Sequence, residues 1–194
     1  MIERHRHSFA QFGYAPDALF WRSRGIQKTR FKVLADIGVR SGDSVLDVGC
    51  GFADLFGFLS GTQRMVDYTG IDLSPDILAQ AITLHPNIAL HQGDIFDMDW
   101  QAASFDWVLL SGTLNWDLHD DGSYAQRVIA KMFALCRYGV AWNMLDARHI
   151  DRSLLGDLRA YHPHEILQWC QSLSSNSQLI EGYLANDFTI YLKK

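Results

Sequence analysis

The stretch VLDVGCGFADLFGFL, residues 45–59, joins one apolar segment to another through a turn that contains glycine. The first segment is typical of a buried strand in a parallel sheet, and the second has the spacing of a helix. Glycine at positions 49 and 51 permits a tight turn and lets the backbone approach a ligand closely. This stretch therefore predicts either a binding loop for a nucleotide-like ligand or a tight strand-to-helix turn that binds nothing.

Strands and helices alternate along most of the chain. Segments with helical spacing alternate with predicted apolar strands. These strands lie at residues 44–48, in a segment that ends near residue 72, and at 88–91, 105–111 and 139–145. This alternation predicts a parallel sheet that is covered by helices on both faces.

The C-terminal part of the chain has a different pattern. Residues 177–194 predict two strands that meet at a turn near Asn186. In the second of them, Phe188, Ile190 and Leu192 alternate with more polar residues, which is the pattern of a strand with one more apolar face. The chain is therefore expected to contain a terminal hairpin, with one strand antiparallel to the rest of the sheet.

Length and composition are those of one globular domain. The chain has 194 residues, of which 48% are hydrophobic and 20% charged. We predict a single domain over residues 1–194, with an N-terminal lid over 1–26 and a Rossmann-like core over 27–194. The formal net charge of −5 gives no basic footprint for nucleic acid, and no apolar run is long enough to span a membrane. The three cysteines are far apart, which indicates neither a zinc site nor disulfides and fits a cytoplasmic protein.

Acidic residues stand at or near the ends of consecutive predicted strands. Asp72, in GIDLS, could accept hydrogen bonds from both hydroxyls of a ribose, as NAD-binding proteins also do. Asp94, in HQGDIF, could accept from an adenine amino group while the backbone N–H of Ile95 donates to the ring. Asp47 lies inside the first strand, where burial is costly unless the carboxylate is paired, and a ligand ammonium would supply a partner. Asp54 would repel a pyrophosphate at the start of the following helix, which disfavours a dinucleotide.

These features together resemble the class I S-adenosylmethionine-dependent methyltransferases. VLDVGCGFAD matches the first motif of that family, GIDLS the second, GDI the third and FDWVLLSG the fourth strand, while Ala53 replaces the usual third glycine. The resemblance implies a Rossmann-like, doubly wound α/β fold. Its seven-stranded sheet would be mainly parallel with an antiparallel C-terminal strand, and helices would cover both faces. The cofactor that the resemblance implies is S-adenosylmethionine.

The resemblance also implies roles for the residues in these motifs. The glycine loop would pass beneath the methionine part of the cofactor, with Asp47 near the amino group, and Ser111 would border the sulfonium. The ends of the second and third strands would hold the ribose and the adenine. The cofactor-binding residues implied in this way are Asp47, Gly49, Cys50, Gly51, Asp72, Leu73, Gly93, Asp94, Ile95 and Ser111.

Residues outside these motifs are expected to complete the crevice, which in open α/β sheets lies beyond the carboxyl ends of the strands. In the N-terminal segment, Tyr14 and Trp21 are candidates for substrate contact, and Arg22 or Arg24 could meet the cofactor carboxylate. Ordinary packing of an N-terminal helix would account for this segment equally well, and a basic run such as the one that contains these arginines is more often a solvated helix face. Further candidates for substrate contact follow the later strands, namely Asn115, Trp116, Asn143 and, as a candidate base, His162.

The predicted function is methyl transfer from S-adenosylmethionine to a small-molecule acceptor. No insertion is long enough for a separate substrate domain. SGTL follows the fourth strand, where amino-group methyltransferases of nucleic acids and protein glutamine carry an Asn/Asp-Pro-Pro-aromatic motif. We expect no metal, no nucleic-acid or membrane partner, and a monomer or homodimer. The alternatives are a non-catalytic S-adenosylmethionine-binding module and, less favoured because of Asp54, an NAD-linked oxidoreductase.

Overall fold

One mixed sheet forms the centre of the fold. The computed structural model describes residues 2–21, 23–151, 153 and 155–194. Within these residues the strands are β1 Ser44–Val48, β2 Asp67–Asp72, β3 Ala89–Gln92, β4 Phe105–Ser111, β5 Cys136–Leu145, β6 Ser177–Ile180 and β7 Asp187–Lys193. Their order across the sheet is β3-β2-β1-β4-β5-β7-β6.

The direction of the strands confirms the predicted fold class. Every pair from β3 to β5 is parallel, whereas β7 runs antiparallel to both β5 and β6. The chain order reverses between β1 and β4, so the loops that follow these two strands diverge and leave a crevice at the carboxyl edge of the sheet. The fold is the α/β, doubly wound, Rossmann-like sheet that the sequence predicts, including the antiparallel strand of the terminal hairpin.

Helices cover both faces of the sheet. The described helices are α1 Ile2–Phe12, α2 Arg24–Ala35, α3 Asp54–Gly61, α4 Pro75–Leu84, α5 Ser123–Leu135 and α6 Pro163–Gln171, with short 3-10 helices at Pro16–Leu19 and Thr113–Asn115. None of the helices described is long and apolar enough to cross a bilayer.

Alternating residues of the central strands contact different helices. Val45 and Leu109 pack with the apolar residues of α2 and α3, whereas Leu46 and Val108 pack with those of α5 and α6. Because side chains of a strand point alternately to the two faces, a sheet covered on both sides needs apolar residues at successive positions. This requirement explains why β1 and β4 have adjacent apolar residues, at positions 45–46 and 107–110.

The largest differences from the predicted elements concern α1 and the starts of α2 and β5. The N-terminal segment forms α1. No helix was predicted there because the sequence is polar, and in the structure only Ser8 of this helix is buried. α2 begins at Arg24, inside the predicted lid, because the Ser23 hydroxyl caps it by accepting a hydrogen bond from the N–H of Ile26. β5 begins at Cys136, three residues before the predicted start, because the strand follows α5 without a turn.

Exposed ion pairs and an aromatic contact connect α1 to distant parts of the chain. Arg6 bonds to Asp76 at the start of α4, at 3.0 Å, and Arg4 pairs with Asp157 in the segment between β5 and α6. In addition, Phe9 packs against Phe52 of the glycine loop, with 5.7 Å between the ring centroids. A helix with few apolar residues is therefore fixed by contacts to distant parts of the chain.

Candidate functional site

The crevice at the carboxyl edge of the sheet encloses about 510 Å³. This volume lies within the range of about 300–1,000 Å³ that is usual for small-molecule sites. The ends of β1, β2, β3 and β4 form its floor, and α1 with the 3-10 helix Pro16–Leu19 covers it. The crevice is thus placed where open α/β sheets bind their ligands.

The glycine loop after β1 has no room for side chains at its two glycines. Gly49 has φ +70°, and a Cβ there would lie 2.2 Å from Oγ1 of Thr113. Gly51 has φ +54°, and a Cβ there would lie 2.7 Å from a methyl group of Leu19. Ala53 has φ 59° as well, a conformation in which a Cβ is strained. The loop is therefore a tight backbone cradle whose left-handed conformation extends to the position where the family usually has glycine.

Asp72 fixes this loop to the end of β2. One of its carboxylate oxygens accepts from the N–H of Gly51 and the other from the N–H of Ser74, both at 2.9 Å. Burial raises the pKa of this carboxyl group, and the two backbone N–H groups oppose that effect. A carboxylate has about four acceptor sites. Asp72 can therefore hold the loop and still accept hydrogen bonds from a ligand in the crevice.

Asp94 is positioned by a residue that the sequence analysis did not single out. Its Oδ1 accepts from the N–H of Phe96 at 3.1 Å, and its Oδ2 accepts from the hydroxyl of Tyr124 at 2.5 Å. Tyr124 belongs to α5 and lines the crevice, and burial raises the pKa of its hydroxyl well above the ordinary value. Ile95 is buried beside this pair. The aspartate is thereby oriented toward the crevice by a neutral tyrosine.

Asp47 is buried in β1 and has a partner within the protein. Its Oδ2 accepts a hydrogen bond of 2.6 Å from the hydroxyl of Tyr68 on β2. Burial raises the pKa of this carboxyl group to about 7, the Tyr68 hydrogen bond opposes the rise, and the charges of Asp72 and Asp54 add to it. The partner that burial of Asp47 requires is thus supplied in part by Tyr68 across the sheet, and its pairing with a ligand ammonium stays a prediction.

The ionisation of Asp47 is expected to make the folded protein less stable as the pH rises from about 4 to about 7. In this window the unfolded chain has lost the proton, since its pKa is the ordinary 3.8, whereas the folded chain keeps it. The folded state binds more protons, so the free energy of unfolding falls by up to about 1.4 kcal/mol per pH unit from this group.

Urea denaturation between about pH 5 and pH 8 tests this prediction. Asp47→Asn cannot ionise at this position and is expected to lose the fall in the free energy of unfolding that Asp47 causes. The stability of the variant relative to the wild type should therefore increase with pH. Asp67→Asn, at the exposed start of β2, is the control and should follow the wild type. Parallel pH profiles for the wild type and Asp47→Asn would contradict the prediction.

Two asparagine side chains fix the turn that follows β4 at the edge of the crevice. Asn115 lines the crevice, accepts from the N–H of Leu145 at 2.9 Å and donates to the carbonyl of Gly112 at 3.2 Å. Asn143 is fully buried in β5, where it accepts from the N–H of Gly112 and donates to the hydroxyl of Ser111. These bonds fix the turn after β4, at the edge of the crevice.

The geometry can be compared with known proteins. A model of a methyltransferase domain matches residues 45–139. The Mycobacterium tuberculosis protein Rv1506c, which is named as a methyltransferase, is 27% identical over 161 residues, covering 78% of this chain and 93% of that protein. These matches are consistent with a class I S-adenosylmethionine-dependent methyltransferase, the family that the sequence resembles. S-adenosylmethionine is the cofactor of this family, as the sequence analysis predicted.

Solved structures agree with this class I fold. A S-adenosylmethionine-dependent methyltransferase from Archaeoglobus fulgidus superposes with a TM-score of 0.70 at 12% identity, covering 89% of this chain and 95% of that one. The magnesium protoporphyrin IX methyltransferase of Synechocystis, with bound S-adenosylhomocysteine, superposes with a TM-score of 0.68 at 14% identity, covering 99% and 93%. At these identities the likeness shows a shared fold and leaves the acceptor open.

Most of the residues predicted for the methyltransferase cofactor line the crevice. All ten motif residues do so, from Asp47 in β1 to Ser111 at the end of β4, and Trp21, Asn115 and Trp116 of the predicted substrate set also line it. Whether they contact ligands stays a prediction.

Arg24 is the exception among the predicted cofactor residues. It does not line the crevice, because its guanidinium lies over the ring of Tyr14 and 3.9 Å from Asp54. Arg22 lies outside the described residues. Arg30, six residues further along α2, lines the crevice instead, and Gln27 also lines it.

Three predicted substrate residues also lie elsewhere. Tyr14 lies outside the crevice and donates a hydrogen bond to Asp54 at 2.8 Å. Asn143 is fully buried in β5. His162 is exposed, precedes Pro163 at the start of α6, and does not line the crevice. No cluster of potential metal ligands occurs among the described residues. The crevice histidine is instead His5 of α1, for which the sequence has no motif.

Proposed function

We propose that the chain binds S-adenosylmethionine in this crevice and transfers its methyl group to a small-molecule acceptor. The observation that carries the proposal is the convergence of Asp47, Asp72 and Asp94 on one crevice beneath a glycine loop that excludes side chains. S-adenosylmethionine supplies an activated methyl group on a sulfonium, so the protein has to bind, orient and exclude water.

The donor set fits the adenosine part of this cofactor. Asp72, at the end of β2, has acceptor sites for ribose hydroxyls, since its two backbone N–H partners leave lone pairs free. Asp94 and the N–H of Ile95, after β3, supply an acceptor and a donor for the amino group and ring of an adenine. Leu73 and Gly93 lie beside them in the crevice wall.

The methionine part of the cofactor is assigned to the glycine loop and α2. Asp47 lies beneath the loop for an ammonium group. Nη1 of Arg30 lies close to the turn after β4, because a Cβ added to Gly112 would be 3.3 Å from this nitrogen. A guanidinium at this position suits a carboxylate. We therefore assign the carboxylate to Arg30 rather than to Arg24.

The cover of the crevice supports a small acceptor. Leu19 lies over Gly51, and Tyr14 packs edge-on against Phe52 at 5.2 Å. These contacts cover the glycine loop, and a crevice with part of its opening covered in this way suits a small acceptor better than a polymer. The start of α3 also disfavours NAD, because Asp54 stands there and accepts from Tyr14 and Gln27.

Calorimetric titration with S-adenosylhomocysteine, S-adenosylmethionine and NAD tests the proposal. We expect both adenosyl compounds to bind and NAD not to. Asp94→Ala should weaken binding by about ten- to a hundredfold, because it removes one hydrogen bond to a charged acceptor. Asp99→Ala, an exposed aspartate in the same loop, is the matched control and should bind as the wild type does.

Other outcomes would point to the alternatives. Binding of NAD, or no binding of either adenosyl compound, would refute the proposal. Binding of S-adenosylmethionine without methyl transfer to any compound in a broad panel of acceptors would favour a non-catalytic module.

A further inference from the structure

Part of the crevice lies beyond the residues assigned to the cofactor. Those residues lie in or follow β1 to β4, together with Arg30 of α2, whereas β5 and β7 come after β4 in the order of the sheet. The end of β5 pairs with the start of β7, and neighbouring strands are about 5 Å apart, so this edge continues for about 10 Å beyond β4. We call this part of the crevice the distal half. Its lining residues are Leu145, Ile150, Leu155, Leu158, Leu184, Ala185, Asn186 and Asp187.

The distal half contains apolar surface that no part of the core covers. Ile150, Leu155, Leu158 and Leu184 are each partly exposed, and none of them packs with the apolar core clusters of the described residues. Apolar residues that occur singly on a surface are ordinary, whereas several that meet at one cavity mark a binding site. Four large aliphatic side chains in one part of a ligand crevice therefore point to an apolar group that covers them.

Hydrogen bonds fix the wall that carries two of these leucines. Leu158 forms a β-bridge with Trp116, and the N–H of Arg159 donates to the carbonyl of Asn115 at 2.6 Å. The N–H of Leu158 donates to the carbonyl of Leu155 at 2.9 Å, so both leucines belong to one hydrogen-bonded turn. This wall is thus attached to the loop that follows β4.

The turn before β7, which carries Leu184, is attached to the segment after β5. Arg148 donates to Asp146 at 2.6 Å and also pairs with Glu181. The N–H of Asp146 donates to the carbonyl of Asn186 at 2.9 Å. The walls of the distal half are therefore connected before any ligand binds, which lowers the entropic cost of binding.

From these contacts we propose that the methyl acceptor carries an apolar alkyl chain, and that this chain binds in the distal half against Leu155, Leu158 and Leu184. The inference rests on the proposed function. Aliphatic side chains make dispersion contacts along an alkyl chain, but they offer no ring face on which an aromatic group could stack. The chain is recognised separately from the group that receives the methyl, so the inference holds whatever the charge of that group.

Binding of alkyl probes in the presence of saturating S-adenosylhomocysteine tests this inference without turnover. The probes are unbranched carboxylates, amines and alcohols of four, six and eight carbons. We expect equilibrium dialysis to show that binding tightens by about two- to fourfold for each added methylene group, because each one transfers apolar surface from water to the crevice. The increment should be similar for the three head groups, since the aliphatic walls contact only the chain.

Substitutions that remove apolar surface from the distal half should weaken binding of the long probes. Leu158→Ser and Leu184→Ser are each expected to weaken binding of the eight-carbon probes by about tenfold, with binding of S-adenosylhomocysteine unchanged. Leu118→Ser is the matched control, because Leu118 is an exposed leucine that does not line the crevice.

A second kind of variant fills the distal half instead of removing a wall. Ala185→Phe is expected to weaken binding of the eight-carbon probes by about tenfold or more, because the new ring takes up space that the chain needs, and to affect the four-carbon probes much less. Ala102→Phe, in the exposed turn before β4, is its control. This variant also keeps the test decisive if a leucine variant does not fold.

The inference fails if the affinity for the probes does not rise with chain length. It fails equally if the three distal variants bind the eight-carbon probes as tightly as their controls do. Either result together with intact binding of S-adenosylhomocysteine would refute this inference alone. A wild-type protein that does not bind S-adenosylhomocysteine would refute the proposed function, and this inference with it.

Discussion

Arg30→Met is expected to lower the free energy of unfolding by about 3–5 kcal/mol, the usual cost of removing one partner from a buried ion pair. Arg30 donates from Nε and Nη2 to the two oxygens of Asp187 at 2.6 Å. The side chains are 11% and 1% exposed. Methionine would fill much of the space but leave the carboxylate buried without a cation. Guanidinium denaturation of the wild type and the variant measures the difference.

The same helix supplies a matched control. Lys32 pairs with Asp36 at 2.6 Å, but its side chain is 68% exposed, so Lys32→Met should cost less than about 1 kcal/mol. Combining Arg30→Met with Asp187→Leu should recover much of the lost stability, because an apolar pair of similar volume replaces the ion pair without an unpaired charge. An equal cost for Arg30→Met and Lys32→Met would show that the buried pair contributes no more to the free energy of unfolding than the exposed pair does.

Gly49→Ala is expected to destabilise the fold by about 2–5 kcal/mol, from left-handed strain of about 1–2 and overpacking of about 1–3 kcal/mol. The φ of +70° accounts for the strain, and the 2.2 Å approach of the new Cβ to Oγ1 of Thr113 accounts for the overpacking. The turn after β4 would have to move, so we expect binding of S-adenosylhomocysteine to be lost as well. Thermal unfolding and calorimetric titration give the two readouts.

A second substitution separates the two causes. In a Thr113→Ala background the nearest two atoms are removed, so Gly49→Ala should cost about 1–3 kcal/mol less while the backbone strain remains. Gly61→Ala in α3 is the control, because a Cβ there meets open space and alanine favours a helix. An unchanged cost in the Thr113→Ala background would contradict the steric explanation.

The parts of the fold that could be predicted are those with a local signal. β1 and β4 have adjacent apolar residues, α4 has Ser74 and Pro75 at its start, and β7 has a period of two. The aspartates of the crevice were found because each follows or interrupts such a strand. Helix α1 has no comparable signal, since its position depends on Arg4 and Arg6 reaching residues far along the chain.

The remaining site residues could not be predicted for the same reason. Arg24 and Arg30 belong to one basic run, and only the packing of α2 decides that the second arginine faces the crevice. Tyr124 meets Asp94 through the packing of α5, thirty positions away. Asn143 has the chemistry of a ligand contact, but its neighbours in the sheet bury it. Residue type and spacing identified the edge of the sheet, and tertiary contacts determine which side chains reach it.

The position of β7 has a consequence for the synthesis of the protein. It is the seventh strand in chain order, yet it is inserted between β5 and β6 and brings Asp187 to Arg30. Domains fold as the chain emerges from the ribosome, N-terminal part first, and unpaired strand edges invite association with other chains. Until residues 187–193 have emerged, β5 has an open edge and the Arg30 guanidinium has no counter-ion. Until β7 pairs with it, the edge of β5 is therefore a site at which the nascent chain can associate with other chains.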